Sequence, residues 1–263
     1  MDAGNWSTNI AAGSAYEYNL LFVIIISNLI AMLLQALCVR LGMATQRDLA
    51  QACRDAYAPR IVYVLWFTAE LAIMATDLAE VIGTAIALKL LFHIPLAAGV
   101  CITAVDVLIV MWLQNKRFRI IELMVILLIF TIIACFAAEL GLSKPNGADV
   151  ARGLLPSRLV VENSDALYIS IGILGATVMP HNLYLHSSIV QTRDCAKTPA
   201  ALKQAIRYFT VDSSVALVLA LFVNAAILIV AGATFYTSGN HDVQLLEDGM
   251  YVCSRCLLYQ LYY

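Results

Sequence analysis

Charge is what this 263-residue chain has least of: 13% of its residues are Asp, Glu, Lys or Arg, against 62% that are apolar. With a mean hydropathy of +0.83, that balance excludes a soluble globular domain, because so few polar residues cannot cover an apolar core in water. The charges that remain nearly cancel, at a formal −2 and a pI near 6.1. The chain therefore offers no basic surface for nucleic acid. It also lacks a cysteine framework: its seven cysteines are scattered, mostly through apolar segments, where a small buried hydrophobe is the default role. Cys253 and Cys256 have a CxxC spacing, which is a weak signal when it stands alone. No signal-peptide pattern precedes Asn5.

What is present is a series of long apolar runs. Read for stretches of about 20 residues, enough to span a bilayer, the sequence predicts six crossings: Leu20 to Val39, Ile61 to Leu91, Pro95 to Leu113, Ile120 to Leu142, Ala166 to Val190 and Val211 to Phe235. The chain is thus an all-α, multi-pass integral membrane protein whose immediate partner is lipid. Asn5 to Tyr18 is too short and polar to cross alone and reads as half a helix. Gln46 to Ala56 is amphipathic and reads as interfacial. Pro145, Asn146, Gly147 and Pro156 mark a long loop over 144–165, and Thr198-Pro199 marks another. Alternating the crossings gathers Arg40, Arg47, Arg54, Arg60, Lys116, Arg117, Arg119, Arg193, Lys197, Lys203 and Arg207 on one side. The positive-inside rule makes that side cytoplasmic.

Prolines are few, and of the six only Pro180 falls deep inside an apolar run. Its ring lacks an N–H and clashes with the preceding turn, so the Ala176 carbonyl loses its helical partner. Met179, before it, is pushed away from helical dihedrals. Such a break at membrane depth is tolerated where it lines a cavity or is packed in protein. It presents a bare carbonyl, a thioether and, at His181, an imidazole. Among the acids, Glu70 and Asp77 are seven residues apart and nearly in line on a helix, with Glu80 close by. Acids inside a membrane usually mark ion or proton paths, and structural hydrogen bonding between helices is the alternative for Glu70 and Glu80. His186 follows His181 by five residues, roughly 140° around a helix, so the two rings cannot share one ligand. It either lines a proton path or satisfies a core hydrogen bond.

Asp2-Ala-Gly-Asn5, Ala75-Thr-Asp77-Leu-Ala-Glu80 and Gly175-Ala176-Thr-Val-Met179-Pro-His181-Asn-Leu-Tyr-Leu-His186 strongly resemble the natural resistance-associated macrophage protein family of proton-coupled divalent metal transporters. The resemblance runs from Met1 to about Asp248 and leaves 249–263 as an atypical tail. It implies a partial LeuT-type inverted-repeat bundle with broken first and sixth helices. It further implies Asp2, Asn5, the Ala176 carbonyl and Met179 as metal ligands. His181, Asp77, Glu80 and Glu70 become the proton pathway, and Arg193 a basic residue paired with path acids, although a positive-inside anchor explains Arg193 equally well. The donor chemistry can be judged separately. Carboxylate, amide and carbonyl are hard donors that suit magnesium, calcium and manganese alike, whereas a thioether adds affinity only for transition ions. Mn2+ and Fe2+ are the expected cargo, moved by proton symport; no resident cofactor and no enzyme activity are expected.

Three departures from the family pattern qualify this reading. Ala3 stands where the family usually has proline, which favours rewinding of the first helix by roughly 3 kcal/mol; the break then rests on Gly4. The chain opens at that break, and the family's helices eight to ten have no counterpart after Asp248. The expectation is that this polypeptide alone does not complete a transport cycle. The alternative function is a metal-sensing or signalling membrane domain of the same fold that does not transport. Loop style leans toward a fungal plasma or endosomal membrane without resolving which.

Overall fold

The computed structural model describes residues 3–116, 118–192, 198–237 and 239. Asp2, Arg193 and the tail 249–263, with Cys253 and Cys256, lie outside the described residues. Within them every regular element is helical.

The first element, α1 (Ala3–Tyr16), is the predicted half helix. Gly4 lies in its first turn rather than ahead of it, and the Gly4 carbonyl accepts the Thr8 hydroxyl at 2.7 Å. The unwinding assigned to Gly4 is therefore not found there. A tight turn leads into α2 (Leu21–Thr45), which runs past the expected end at Val39. It stops where Gln46 takes a left-handed conformation and returns its N–H to Gly42. The interfacial segment then forms α3 (Leu49–Ala56), opened by a reciprocal capping box between Asp48 and Gln51.

Pro59 starts α4 (Pro59–Phe92) at the first helical position, where a missing N–H does no harm. At 1.5 Å per residue α4 is about 50 Å long, well beyond a hydrocarbon core of about 30 Å, so part of it extends out of the bilayer. Two further long helices follow, α5 (Leu96–Lys116) and α6 (Phe118–Ser143). The predicted loop over 144–165 contains two short helices, α7 (Gly147–Gly153) and α8 (Leu159–Glu162); Asn146 caps the first through the Ala148 N–H.

The run around Pro180 is split into α9 (Ser164–Val178) and α10 (Pro180–Ile189), followed by a 3-10 turn over Val190–Thr192. The last long helix, α11 (Pro199–Ala231), begins well before the expected Val211 because Thr198 caps it and Pro199 fits its first turn. The added turns carry Lys203 and Arg207, which a hydropathy count leaves outside the bilayer. A π-helical turn at Gly232–Tyr236 closes the described chain. Among the described residues five stretches are long and apolar enough to cross a membrane, with α9 and α10 taken together; the apolar part of α5, the sixth predicted crossing, is shorter, Leu96–Trp112.

The core lies where α1, α2, α9 and α11 meet, around Ala12, Leu20, Ile24, Ile173 and Leu228. Gly13 permits a close approach of α1 to α11. A Cβ there would lie 2.5 Å from the Leu228 carbonyl oxygen and 2.7 Å from Ala231 Cβ. In contrast, α4, α5 and α6 leave large apolar side chains such as Trp66, Phe67, Leu108, Leu127 and Phe130 exposed. In water that would be a liability; against lipid tails it is the natural state.

Candidate metal centre at the helix break

Met179 is the single residue between α9 and α10. Its φ of 41° and ψ of 94° are strained for a residue with a side chain, and such strain collects at functional sites. Its N–H bonds to the Gly175 carbonyl at 3.1 Å, and the Asn182 N–H bonds to its own carbonyl at 3.0 Å, so the helix resumes at once. The Ala176 carbonyl is the group left over, as the missing N–H of Pro180 requires.

That carbonyl meets α1. The Asn5 amide Nδ2 donates to the Ala176 carbonyl oxygen at 3.2 Å, across 171 positions in sequence. One turn away, a Cβ on Gly172 would lie 3.1 Å from Thr8 Cγ2. The pairings Asn5 with Ala176 and Thr8 with Gly172 make α1 and α9 antiparallel neighbours. Asn5 is buried, while Ala176, Met179 and His181 are half-buried. Two residues predicted to share one site from opposite ends of the chain therefore touch, and Met179 lies three positions on at the break itself.

Among the described residues, no group of three His, Cys, Asp or Glu is placed to hold a metal. An ion at the break would use neutral donors, the Asn5 amide oxygen, the Ala176 carbonyl and the Met179 sulfur; Asp2, the charged donor of the predicted set, lies outside the described residues. His181 Nδ1 and His186 Nε2 are both buried without a hydrogen-bond partner among the described residues. The core hydrogen bond considered for His186 is not made at Nε2.

The acids on α4 are distributed unevenly. Glu70 is half-buried and lines a cleft of about 460 Å³ between α3, α4 and α10, together with Asp48, Arg54, Trp66 and Tyr184. Tyr184 is three residues after His181, so Glu70 lies below the histidine on the same side of the break. Asp77 and Glu80, assigned to the same path, are exposed. The reason is packing: α4 has α5 as its main neighbour and touches α1 and α10 only lightly.

Sequence reasoning passed over a second set of polar groups. Asn9, Ser27, Asn28 and Asn224 are each at most 3% exposed, and Asn9 Oδ1, Ser27 Oγ, both polar atoms of the Asn28 amide and Asn224 Oδ1 have no hydrogen-bond partner among the described residues. They lie on α1, α2 and α11, the helices around the break. Their signal was legible, since amides within the runs Ile24–Ile30 and Phe222–Ile229 are costly unless they serve a purpose.

The model of the natural resistance-associated macrophage protein-like (Nramp) family matches residues 1–254. This chain belongs to the Nramp family. It is 56% identical over 257 residues to a divalent metal cation transporter MntH of Nostoc sp., a match covering 98% of this chain and 58% of that protein. It is 57% identical over 247 residues to the MntH of Brucella suis, covering 94% and 54% respectively. A crystal structure of the Eremococcus coleocola manganese transporter superposes with a TM-score of 0.78 at 46% identity, covering 89% of this chain and 49% of that one. The fold is accordingly the LeuT-type helical bundle of Nramp transporters, in a multi-pass membrane protein. The Nramp chain described here spans about half the length of the curated relatives it matches.

Proposed function

We propose that residues 1–248 form the metal-site portion of a divalent-metal transporter that carries Mn2+, and Fe2+ as a second cargo, in symport with protons. The observation that carries this reading is the Asn5–Ala176 contact beside Met179, supported by relatives named as divalent metal cation and manganese transporters. The Asn5 amide N–H satisfies the bare carbonyl. On binding, the amide turns its oxygen inward and a dication takes both oxygens, with Met179 adding a soft donor and Asp2 a negative charge.

The sulfur sets the selectivity. Mn2+ and Fe2+ are the weakest binders of the first-row series, so the site has to reject abundant Ca2+ and Mg2+, for which a thioether offers nothing. His181, immediately beyond the break, receives the proton on a ring nitrogen; its Nδ1 has no hydrogen-bond partner among the described residues. Glu70, below it in the cleft, is the next acceptor toward the Arg-rich side. Asp77 and Glu80 complete the path.

Two measurements on the purified chain in proteoliposomes test this. Calorimetric titration should give saturable Mn2+ binding that Ca2+ and Mg2+ do not displace. Repeating the titration in buffers of different ionisation enthalpy should show protons exchanged on Mn2+ binding, a readout that does not need this polypeptide alone to complete a transport cycle. Mn2+ binding without proton movement would sink the symport claim and favour the metal-sensing alternative. An absence of transition-ion binding would sink the whole reading.

A further inference from the structure

The helix α3 has no buried residue, so apolar packing does little to fix its position. A hydrogen bond fixes it instead. The Leu49 N–H, in the first turn of α3, donates to Ser187 Oγ on α10 at 3.0 Å, across 138 positions in sequence. A helix start leaves such donors without an internal partner. The Asp48–Gln51 capping box occupies the amides of those two residues and leaves that of Leu49.

Ser187 is 0% exposed. Its hydroxyl proton goes to the Tyr184 carbonyl at 2.8 Å, which leaves a lone pair of Oγ to accept from α3. On the other side, a Cβ on Gly42 of α2 would lie 2.6 Å from the Ser187 carbonyl oxygen, and Gln191 Nε2 donates to that same oxygen at 3.1 Å. Three elements, α2, α3 and α10, therefore converge on one serine.

Its distance from the break gives this contact leverage. Ser187 is seven residues beyond Pro180, about 10 Å along the helix axis. If α10 pivots at the break by about 20°, the serine travels about 3.5 Å, more than a hydrogen bond survives. Either α3 follows or the bond is lost.

We propose that Ser187 is a positioning residue that ties the interfacial helix α3 to the half helix α10, so that α3 moves as one body with the segment carrying His181. The link itself is independent of the transport reading; its coupling to metal rests on that reading.

The test uses Ser187→Ala and Ser187→Thr in the full chain, read by amide hydrogen exchange and by thiol labelling of Cys53, a free, half-buried cysteine on α3. In the wild type the Leu49 amide should be protected. Without metal, Ser187→Ala should speed exchange over 49–56 and Cys53 labelling by about two- to tenfold, the range set by the net worth of one hydrogen bond. Exchange in α1, α2 and α9 should be unchanged, and Ser187→Thr, which keeps the hydroxyl, should restore the slow rate. A fast-exchanging Leu49 amide in the wild type, or equal α3 rates in wild type and Ser187→Ala, overturns the proposal. In a second arm Mn2+ should alter Cys53 labelling in the wild type and not in Ser187→Ala, at equal Mn2+ affinity in both. A response that persists in Ser187→Ala overturns the coupling. Failure of Mn2+ to bind the wild type counts against the transport reading and leaves the metal-free rates to decide the link.

Discussion

Asn5 offers the sharpest perturbation, because one isosteric change and one truncation should separate its role in holding the Ala176 carbonyl from its role toward a dication. Its Nδ2 donates to the Ala176 carbonyl at 3.2 Å. Asn5→Asp replaces that donor with a second acceptor facing the carbonyl oxygen. The hydrogen bond is worth about 1 kcal/mol net, and leaving a part-buried carbonyl unsatisfied costs about 1–3 kcal/mol. Asn5→Ala incurs the same loss without the added repulsion. For a chain of this size each kcal/mol shifts the unfolding midpoint by roughly 2–4 °C, so a loss of about 2 kcal/mol lowers it by about 4–8 °C. Saturating Mn2+ should then divide the variants. At a hundredfold excess over its dissociation constant a ligand stabilises by about 2.7 kcal/mol. Asn5→Asp, which supplies a hard oxygen, should regain its loss; Asn5→Ala, which supplies none, should not. The assay is thermal unfolding in detergent with and without Mn2+. The reasoning fails if metal-free Asn5→Asp is as stable as the wild type, or if Asn5→Ala gains as much from Mn2+ as the wild type does.

Other outcomes follow from single contacts. Met179→Ala should weaken Cd2+ binding far more than Mn2+ binding in calorimetric titrations, and equal losses would mean that the sulfur is not a ligand. Gly13→Ala should destabilise the α1–α11 contact by about 1–3 kcal/mol or more, because the new methyl meets the Leu228 carbonyl at 2.5 Å; chemical denaturation with an unchanged midpoint would contradict the close approach. Burial, and secondarily the neighbouring Asp149, pushes the Glu17 carboxyl above its ordinary range. The folded state therefore holds that proton more tightly, and stability falls as pH rises from the usual carboxylate range through the raised value. Glu17→Gln should be more stable than the wild type at neutral pH and lose that advantage below about pH 4. An advantage that does not depend on pH would refute the cause.

The break was legible because its cause is local. A proline inside an apolar run removes one N–H, and the orphaned acceptor is four residues back whatever surrounds it; Ala176 is where the structure places it. Capping at Asp48, Asn146 and Thr198 is equally local, but the sequence reading has Asn146 and Thr198 only as loop markers and names no cap at Asp48. Helix ends were read less well. Hydropathy registers where a helix leaves the bilayer and not where it stops, so α11 extends back to Pro199 through charged turns and α2 extends on to Thr45. Which face of a membrane helix meets protein was not legible at all, since lipid-facing and core-facing sides are both apolar. That is why the exposure of Asp77 and Glu80 could not be read from the sequence. The Leu49–Ser187 link joins two unremarkable positions through tertiary packing alone.

The central claim is that the start of α1 and the break between α9 and α10 form one dication site with mixed oxygen and sulfur donors. X-ray absorption at the cadmium edge of the Cd2+-loaded chain tests it most directly. The spectrum should contain a single sulfur neighbour in an otherwise oxygen shell, and Met179→Ala should remove that sulfur while the oxygens remain. A shell of oxygen and nitrogen alone in the wild type, or sulfur scattering that persists in Met179→Ala, would place the metal elsewhere and contradict the account.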